Sequence, residues 1–116
     1  MACQPVTGTF GLLQQPEVGA DPVRGRQVFL TKGCTGCHTV AGIPGAAGTL
    51  GPPLTSIAAT AGVRHSGQSA DTYLRESIVH PNAYVVPGFP SPSPMPPGLV
   101  AGRDLDDLVA FLLTQH

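Results

Sequence analysis

The segment Cys34-Thr35-Gly36-Cys37-His38 constrains this 116-residue chain more than any other part of its sequence. Two thiols three positions apart on a helical turn can both reach one edge of a porphyrin, where its two vinyl groups lie. The next residue then falls over the ring centre and offers an imidazole nitrogen to iron. A C-x-x-C-H sequence is typical of covalent haem attachment. It therefore predicts one haem c bonded to Cys34 and Cys37, with His38 as an iron ligand.

Three other interpretations of this motif compete with haem. A thioredoxin-like redox pair also uses C-x-x-C, but beside a βαβ unit, and this sequence has no convincing strand pattern. A zinc site needs four ligands and usually a second Cys or His pair at short spacing, whereas His65 and His80 stand alone. The third is a chance occurrence of a short pattern, which a chain with only three cysteines disfavours.

The composition limits the partners that the chain can bind. Charged residues make up 11% of it, with six Lys or Arg against seven Asp or Glu, so no nucleic-acid partner is expected. An apolar run of about 18 residues, the minimum for a membrane-spanning helix, is absent. Gly and Pro number 15 and 13 in a chain that is still 41% hydrophobic. A small chain of this kind often needs a cofactor, metal or disulfide to hold its core together.

Capping residues and apolar spacing predict three main helices. Asp21 and Pro22 suit the start of the first helix, and Gly33 suits its end. Pro81 ends the second helix, and the third carries a leucine-rich apolar stripe. The predicted helices run from Asp21 to Gly33, from Ser69 to Val79 and from Asp104 onward.

The other segments are predicted to be loops or tail. Residues 1–20 show no clean period and are expected to form a flexible tail or tether before a single domain over residues 21–116. Segment 39–62, rich in Gly, Pro, Ala and Thr, is predicted to be a loop with one short helix over Leu54–Thr60. Seven prolines between Pro81 and Pro97 exclude a helix or a central strand there and predict a long, stiffened loop.

An electron-transfer iron site needs a second axial ligand opposite the histidine of the motif. Met95 is the favoured candidate because it is the only interior methionine and lies in the proline-rich loop. Met1 lies in the tail, His65 is predicted to be a solvated loop residue, and His80 is predicted to cap the preceding helix. The alternative role for Met95 is to fill a gap in the core. As a ligand it would favour ferrous iron and raise the reduction potential.

Several residues around the motif match a known family. Gly25 and Phe29 precede it, Phe111 lies in the last helix, and Gly51-Pro52-Pro53-Leu54 follows it. With Met95-Pro96, these positions make the chain resemble the class I cytochromes c over about residues 21–115. The resemblance implies an all-α fold with three main helices around one covalently bound haem, in which Gly25 and Phe29 meet Phe111. It also implies that the Pro52 carbonyl accepts a hydrogen bond from His38 and fixes its tautomer.

A longer stretch resembles the monohaem cytochrome c domains associated with subunit II of haem–copper oxidases and with related quinol-oxidising complexes. Those oxidase subunits also carry a binuclear copper site, for which this chain lacks the ligands. The resemblance implies a separate cytochrome, a subunit or a domain that passes electrons to or within such a respiratory complex. The matching positions are Tyr73, Leu74, Ser77, Ile78, Pro81, Asn82 and Pro87-Gly88-Phe89.

With both axial positions filled, the expected function is one-electron transfer by an electron carrier that is not itself an enzyme. The alternative is a haem-based sensor or peroxidase-like protein with an open sixth iron position.

Attachment of haem c outside the cytoplasm implies a periplasmic protein, or one on the outer face of the bacterial membrane, with an export signal that Met1–Phe10 does not provide. Membrane association is expected only through a partner or a lipid on Cys3, whose alternative is an unpaired tail cysteine.

Overall fold

The computed structural model describes residues 19–65 and 67–116, and within them it contains four α-helices, one short 3-10 turn and no strand. The predicted all-α fold is confirmed, and the βαβ unit required by a thioredoxin-like motif is not found in the described residues. None of the helices in these two ranges is long and apolar enough to cross a membrane. The elements are α1 (Pro22–Thr31), the 3-10 turn (Cys34–Gly36), α2 (Ile57–Arg64), α3 (Ala70–Val79) and α4 (Gly102–Leu112).

Helix α1 begins and ends where local sequence signals predict. The side chain of Asp21 accepts hydrogen bonds from the backbone N–H groups of Val23 and Arg24, at 2.9 and 3.3 Å. Pro22 occupies the first turn, where its missing N–H costs no helical hydrogen bond. Gly33 follows the helix in the left-handed region, with φ of 80°, which lets the chain turn at once into the cysteine motif.

Helix α3 also agrees with its prediction. Ser69 caps it, because its hydroxyl accepts a hydrogen bond from the Thr72 N–H at 3.1 Å. His80 is the exposed residue at its carboxyl end, and the His80 backbone N–H donates to the Glu76 carbonyl at 2.7 Å. His80 therefore stands at the predicted end of α3, while capping by its side chain stays a prediction.

Two predicted helices have wrong boundaries. The short helix expected over Leu54–Thr60 is α2, which spans Ile57–Arg64 and so begins and ends later. The Leu54 N–H donates to the Thr39 carbonyl at 2.8 Å, which ties Leu54 to the preceding loop. Helix α4 begins at Gly102, two residues before Asp104, without a side-chain cap. Asp104 lies in its first turn and binds Arg24 through an ion pair of 2.6 Å.

Helices α1 and α4 cross in close contact, and this contact organises the core. A Cβ atom placed on Gly25 would overlap the backbone carbonyl of Asp107, so only glycine allows this approach. One turn along, the rings of Phe29 and Phe111 meet with their centroids 5.8 Å apart. The contact implied by the family resemblance is thus present. The other buried apolar side chains are Val28, Val40, Ile43, Ala46, Ile57, Ala61, Tyr73, Leu74, Ile78, Val100, Leu108, Val109 and Leu112.

A buried carboxylate lies at the same crossing. The Asp107 side chain is fully inaccessible to solvent and accepts hydrogen bonds from the Asp21 backbone N–H, at 2.8 Å, and from the Arg24 guanidinium, at 2.7 Å. Arg103 approaches it at 3.4 Å. The hydrogen bond from Asp21 and the ion pair with Arg24 hold the pKa of Asp107 below its ordinary value. The Asp107 side chain, which links α4 to α1, is therefore charged at neutral pH, and both of its oxygens accept a hydrogen bond.

We expect Gly25→Ala to destabilise the folded protein by about 2–3 kcal/mol, because the added methyl group forces α1 away from α4. Gly62→Ala is the matched control, since Gly62 is also helical but its Cβ would meet nothing closer than 3.8 Å. That control should be neutral or up to about 1 kcal/mol more stable, from helix propensity. Urea unfolding of the two haem-loaded variants measures both changes, and equal stability of the two would contradict the close crossing.

Asp107→Asn tests the buried charge through the pH dependence of unfolding. Because folding lowers the pKa of Asp107, its ionised form stabilises the fold above the ordinary Asp pKa of about 3.9, and this contribution is lost as the pH falls through the folded-state pKa. We expect Asp107→Asn to be less stable at pH 7 and to lose less further stability on acidification. The control, Asp106→Asn, removes a carboxylate that is 42% exposed and should keep the wild-type acid profile.

Candidate haem site

A largely apolar cleft lies between the four helices and the loop that precedes α4. It contains about 1170 Å³ of empty space, a volume that includes open solvent at its mouth. All five predicted site residues line it: Cys34, Cys37, His38, Pro52 and Met95. The apolar side chains of its wall come from every helix and include Phe29, Leu54, Ile57, Tyr73, Leu74, Ile78, Leu99, Val100, Leu108 and Leu112.

The 3-10 turn after α1 presents both thiols to this cleft. The Cys37 and His38 N–H groups donate to the Cys34 carbonyl at 3.2 and 3.0 Å, which places the two cysteines and the histidine on one compact turn. Cys34 and Cys37 are both half-buried. Burial raises the pKa of the Cys34 thiol, so this sulfur is protonated at neutral pH before a thioether forms.

Gly48 packs against the backbone of the 3-10 turn, a contact that the sequence did not indicate. A Cβ on Gly48 would overlap the backbone carbonyl of Gly36, and the Gly48 N–H donates to the Thr35 carbonyl at 3.3 Å. A Cβ on Gly36 itself would have no protein atom within 4 Å. The segment after the motif therefore supports the turn from behind, and Gly48 is the glycine that the polypeptide requires there.

His38 is fixed in one tautomer by its surroundings. Its Nδ1 donates a hydrogen bond of 2.7 Å to the Pro52 carbonyl, the contact implied by the resemblance. Nε2 is then the unprotonated nitrogen, which is the form that binds a metal. Burial lowers the pKa of His38, although the bond to Pro52 opposes that shift. Gly51 lies flat against the ring, since a Cβ there would come within 2.5 Å of His38 Cε1.

Met95 lines the same cleft from the loop between α3 and α4. It is half-buried and packs against the hydrophobic core. Pro94 and Pro96 flank it, and both also line the cleft. His80 is outside this lining, at the exposed end of α3. The structure thus brings Met95 together with the haem motif and leaves His80 away from it.

The prediction for His65 is wrong. His65 is half-buried, and its ring stacks on Tyr84 at a centroid distance of 4.2 Å. Its Nδ1 is buried and has no hydrogen-bond partner among residues 19–65 and 67–116. Tyr84 lines the cleft and meets the edge of Tyr73 at 6.3 Å. Sequence reasoning missed this stack because it joins the end of α2 to the proline-rich loop. The available signal for this stack was Tyr84, an aromatic residue in the proline-rich loop.

These features fit haem c in both shape and chemistry. The wall is apolar, the thiols and the histidine share one turn, and Gly51 leaves room for the imidazole. The family model for cytochrome c matches residues 22–116. The chain belongs to the cytochrome c family. A search of curated proteins finds no match to the chain. Family membership makes this cytochrome an electron carrier with a covalently bound, iron-containing haem c.

We expect Gly51→Ala to shift the His38 ring without unfolding the cytochrome. The new methyl group would press on the His38 ring and lengthen the hydrogen bond to Pro52. The measurable result is a high-spin component in the visible spectrum of the haem-loaded protein. Thr49→Ala, two residues away and exposed, is the control and should keep the wild-type spectrum. An unchanged spectrum for Gly51→Ala would show that the ring tolerates the crowding.

Proposed function

We propose that this cytochrome carries single electrons on a haem iron held between His38 and Met95. The observation that supports it is the arrangement of the cleft, which both side chains line from different segments. The haem supplies the one-electron ferric/ferrous couple when it is bound. His38 would provide the proximal nitrogen and Met95 a thioether sulfur, a pair that favours the ferrous state.

The chain's own residues prepare this site. Pro52 and Gly51 hold the His38 imidazole in the tautomer and orientation that leave Nε2 for the metal. The apolar wall excludes water and so limits the solvent rearrangement that accompanies a change of charge. The proline-rich loop restricts the conformations open to Met95 when it is unbound, which favours a bond that is weak by itself. These roles require no general base and no nucleophile.

We further propose that the electron partners are respiratory, either a terminal oxidase or a quinol-oxidising complex. The support is the resemblance of the stretch from Tyr73 to Phe89 to cytochrome c domains of such complexes. The proposal places the protein in the periplasm or on the outer face of the bacterial cytoplasmic membrane. A lipid on Cys3 and a tail over residues 1–20 are part of the same hypothesis, but residues 1–18 lie outside the described part of the chain.

Replacing Met95 tests the proposed ligand pair. We expect wild type to show low-spin c-type bands and the weak red-edge band of sulfur-to-iron ligation. Met95→Leu keeps the side-chain size but removes the sulfur, so this band should disappear and carbon monoxide should bind to the ferrous form. The controls His65→Ala and His80→Ala should keep the band. A wild-type protein that is already high-spin and binds carbon monoxide would favour the sensor or peroxidase-like alternative.

Docking to the partner should depend only weakly on salt. Arg24, Arg75 and Arg103 are already paired with aspartates of the same chain, which cancels much of their long-range field. We therefore expect the electron-transfer rate with a purified oxidase or quinol-oxidising complex to fall less than about tenfold between low and physiological ionic strength. Stopped-flow kinetics measures this, and a drop of several hundredfold would indicate a charged docking face.

A further inference from the structure

We propose that Asn82 positions the Met95 ligand from the far end of its loop. Its side chain and that of Ser93 form a two-step tether that runs from the end of α3 to the backbone of Met95. This inference rests on the proposed role of Met95 as an iron ligand. It adds a residue that is not itself part of the cleft lining and that acts through Ser93, which is.

The need for such a tether follows from the sequence of the loop. Within Pro90–Pro97 five residues are prolines, which have no backbone N–H. Only Ser91, Ser93 and Met95 can donate from the main chain there, so no helix or ladder can hold this segment. Its position relative to α3 then depends on the acceptors that these few donors find.

Two of the three donors bind side-chain oxygens. The Ser93 N–H donates to Asn82 Oδ1 at 2.8 Å. The Met95 N–H donates to Ser93 Oγ at 3.2 Å. Asn82 lies just after α3, eleven residues before Ser93, so the first bond folds the loop back onto its starting point. The second bond fixes the backbone of Met95 relative to Ser93.

A third bond holds the other side of Met95. The Gly98 N–H donates to the carbonyl of Val79, the last residue of α3, at 3.2 Å. Met95 is therefore bracketed by two attachments, and both reach the same end of α3. These hydrogen bonds order the loop within the polypeptide itself. The bond between sulfur and iron therefore does not have to offset the entropy lost on ordering the loop.

The exposure of Asn82 makes its role separable from packing. The side chain is exposed, so its removal leaves no cavity in the core. What it would change is the equilibrium between bound Met95 and a form in which the loop has moved away. Loss of one such hydrogen bond should increase the population of the released form about fivefold. An added ligand that competes with Met95 would then bind about fivefold more tightly.

The experiment measures the dissociation constant of imidazole for the ferric, haem-loaded cytochrome. Asn82→Ala should lower it about fivefold, and Ser93→Ala should lower it as well because the Met95 N–H loses its acceptor. Asn82→Asp keeps an acceptor oxygen at the same place and should restore a near-wild-type value. Ser91→Ala is the matched control, since Ser91 is an exposed serine of the same loop whose side chain has no hydrogen bond in the described residues. The sulfur-to-iron band and the urea midpoint are recorded for every variant.

The outcomes separate this inference from the proposed function. The tether is supported if Asn82→Ala binds imidazole more tightly with an unchanged urea midpoint, and if Asn82→Asp has a near-wild-type dissociation constant. Equal imidazole binding by Asn82→Ala and wild type, in proteins that both show the sulfur-to-iron band, overturns the tether and leaves Met95 as the ligand. Absence of that band from the wild type overturns the ligand assignment itself, and the tether with it.

Discussion

The close contact of α1 and α4 at Gly25 fixes the geometry of the haem cleft. It sets the distance between the first and last helices, and the buried Asp107 carboxylate joins them by charge as well as by packing. The cysteine motif leaves the end of α1 directly, and the loop with Met95 leads directly into α4. Both sides of the cleft are therefore anchored to the same pair of helices. A change in the distance or angle between α1 and α4 would move both His38 and Met95.

The two proposed axial ligands are held by contacts of different kinds. His38 is half-buried, donates to the Pro52 carbonyl and is confined by Gly51, so its orientation is set by packed backbone. Met95 is held by a proline-rich segment whose hydrogen bonds lie near the surface. Water competes with such bonds, so each contributes less than a buried one. The architecture thus holds His38 more firmly than Met95, so of the two proposed ligands Met95 is the one that can be exchanged.

Sequence reasoning succeeded where the signal is local. The cap at Asp21 and the proline-rich loop follow from neighbouring residues, and the contact of Pro52 with His38 followed from the family resemblance. Asp107 was missed because it occupies a helical position that resembles a solvated acidic one, and its partners lie more than 80 residues away in sequence. His65 was assigned to solvent for the same reason, since its stacking partner comes from another loop. Contacts between polar groups far apart in the chain leave no periodic signal in the sequence, so sequence patterns do not predict them.

X-ray absorption at the iron edge tests ligation by Met95, because it counts the atoms bound to iron. We expect one sulfur and five nitrogen neighbours in both the ferric and the ferrous cytochrome, with nearly equal bond lengths in the two states. That result would establish a closed site suited to electron transfer. Six nitrogen neighbours, or five neighbours in either state, would contradict ligation by Met95.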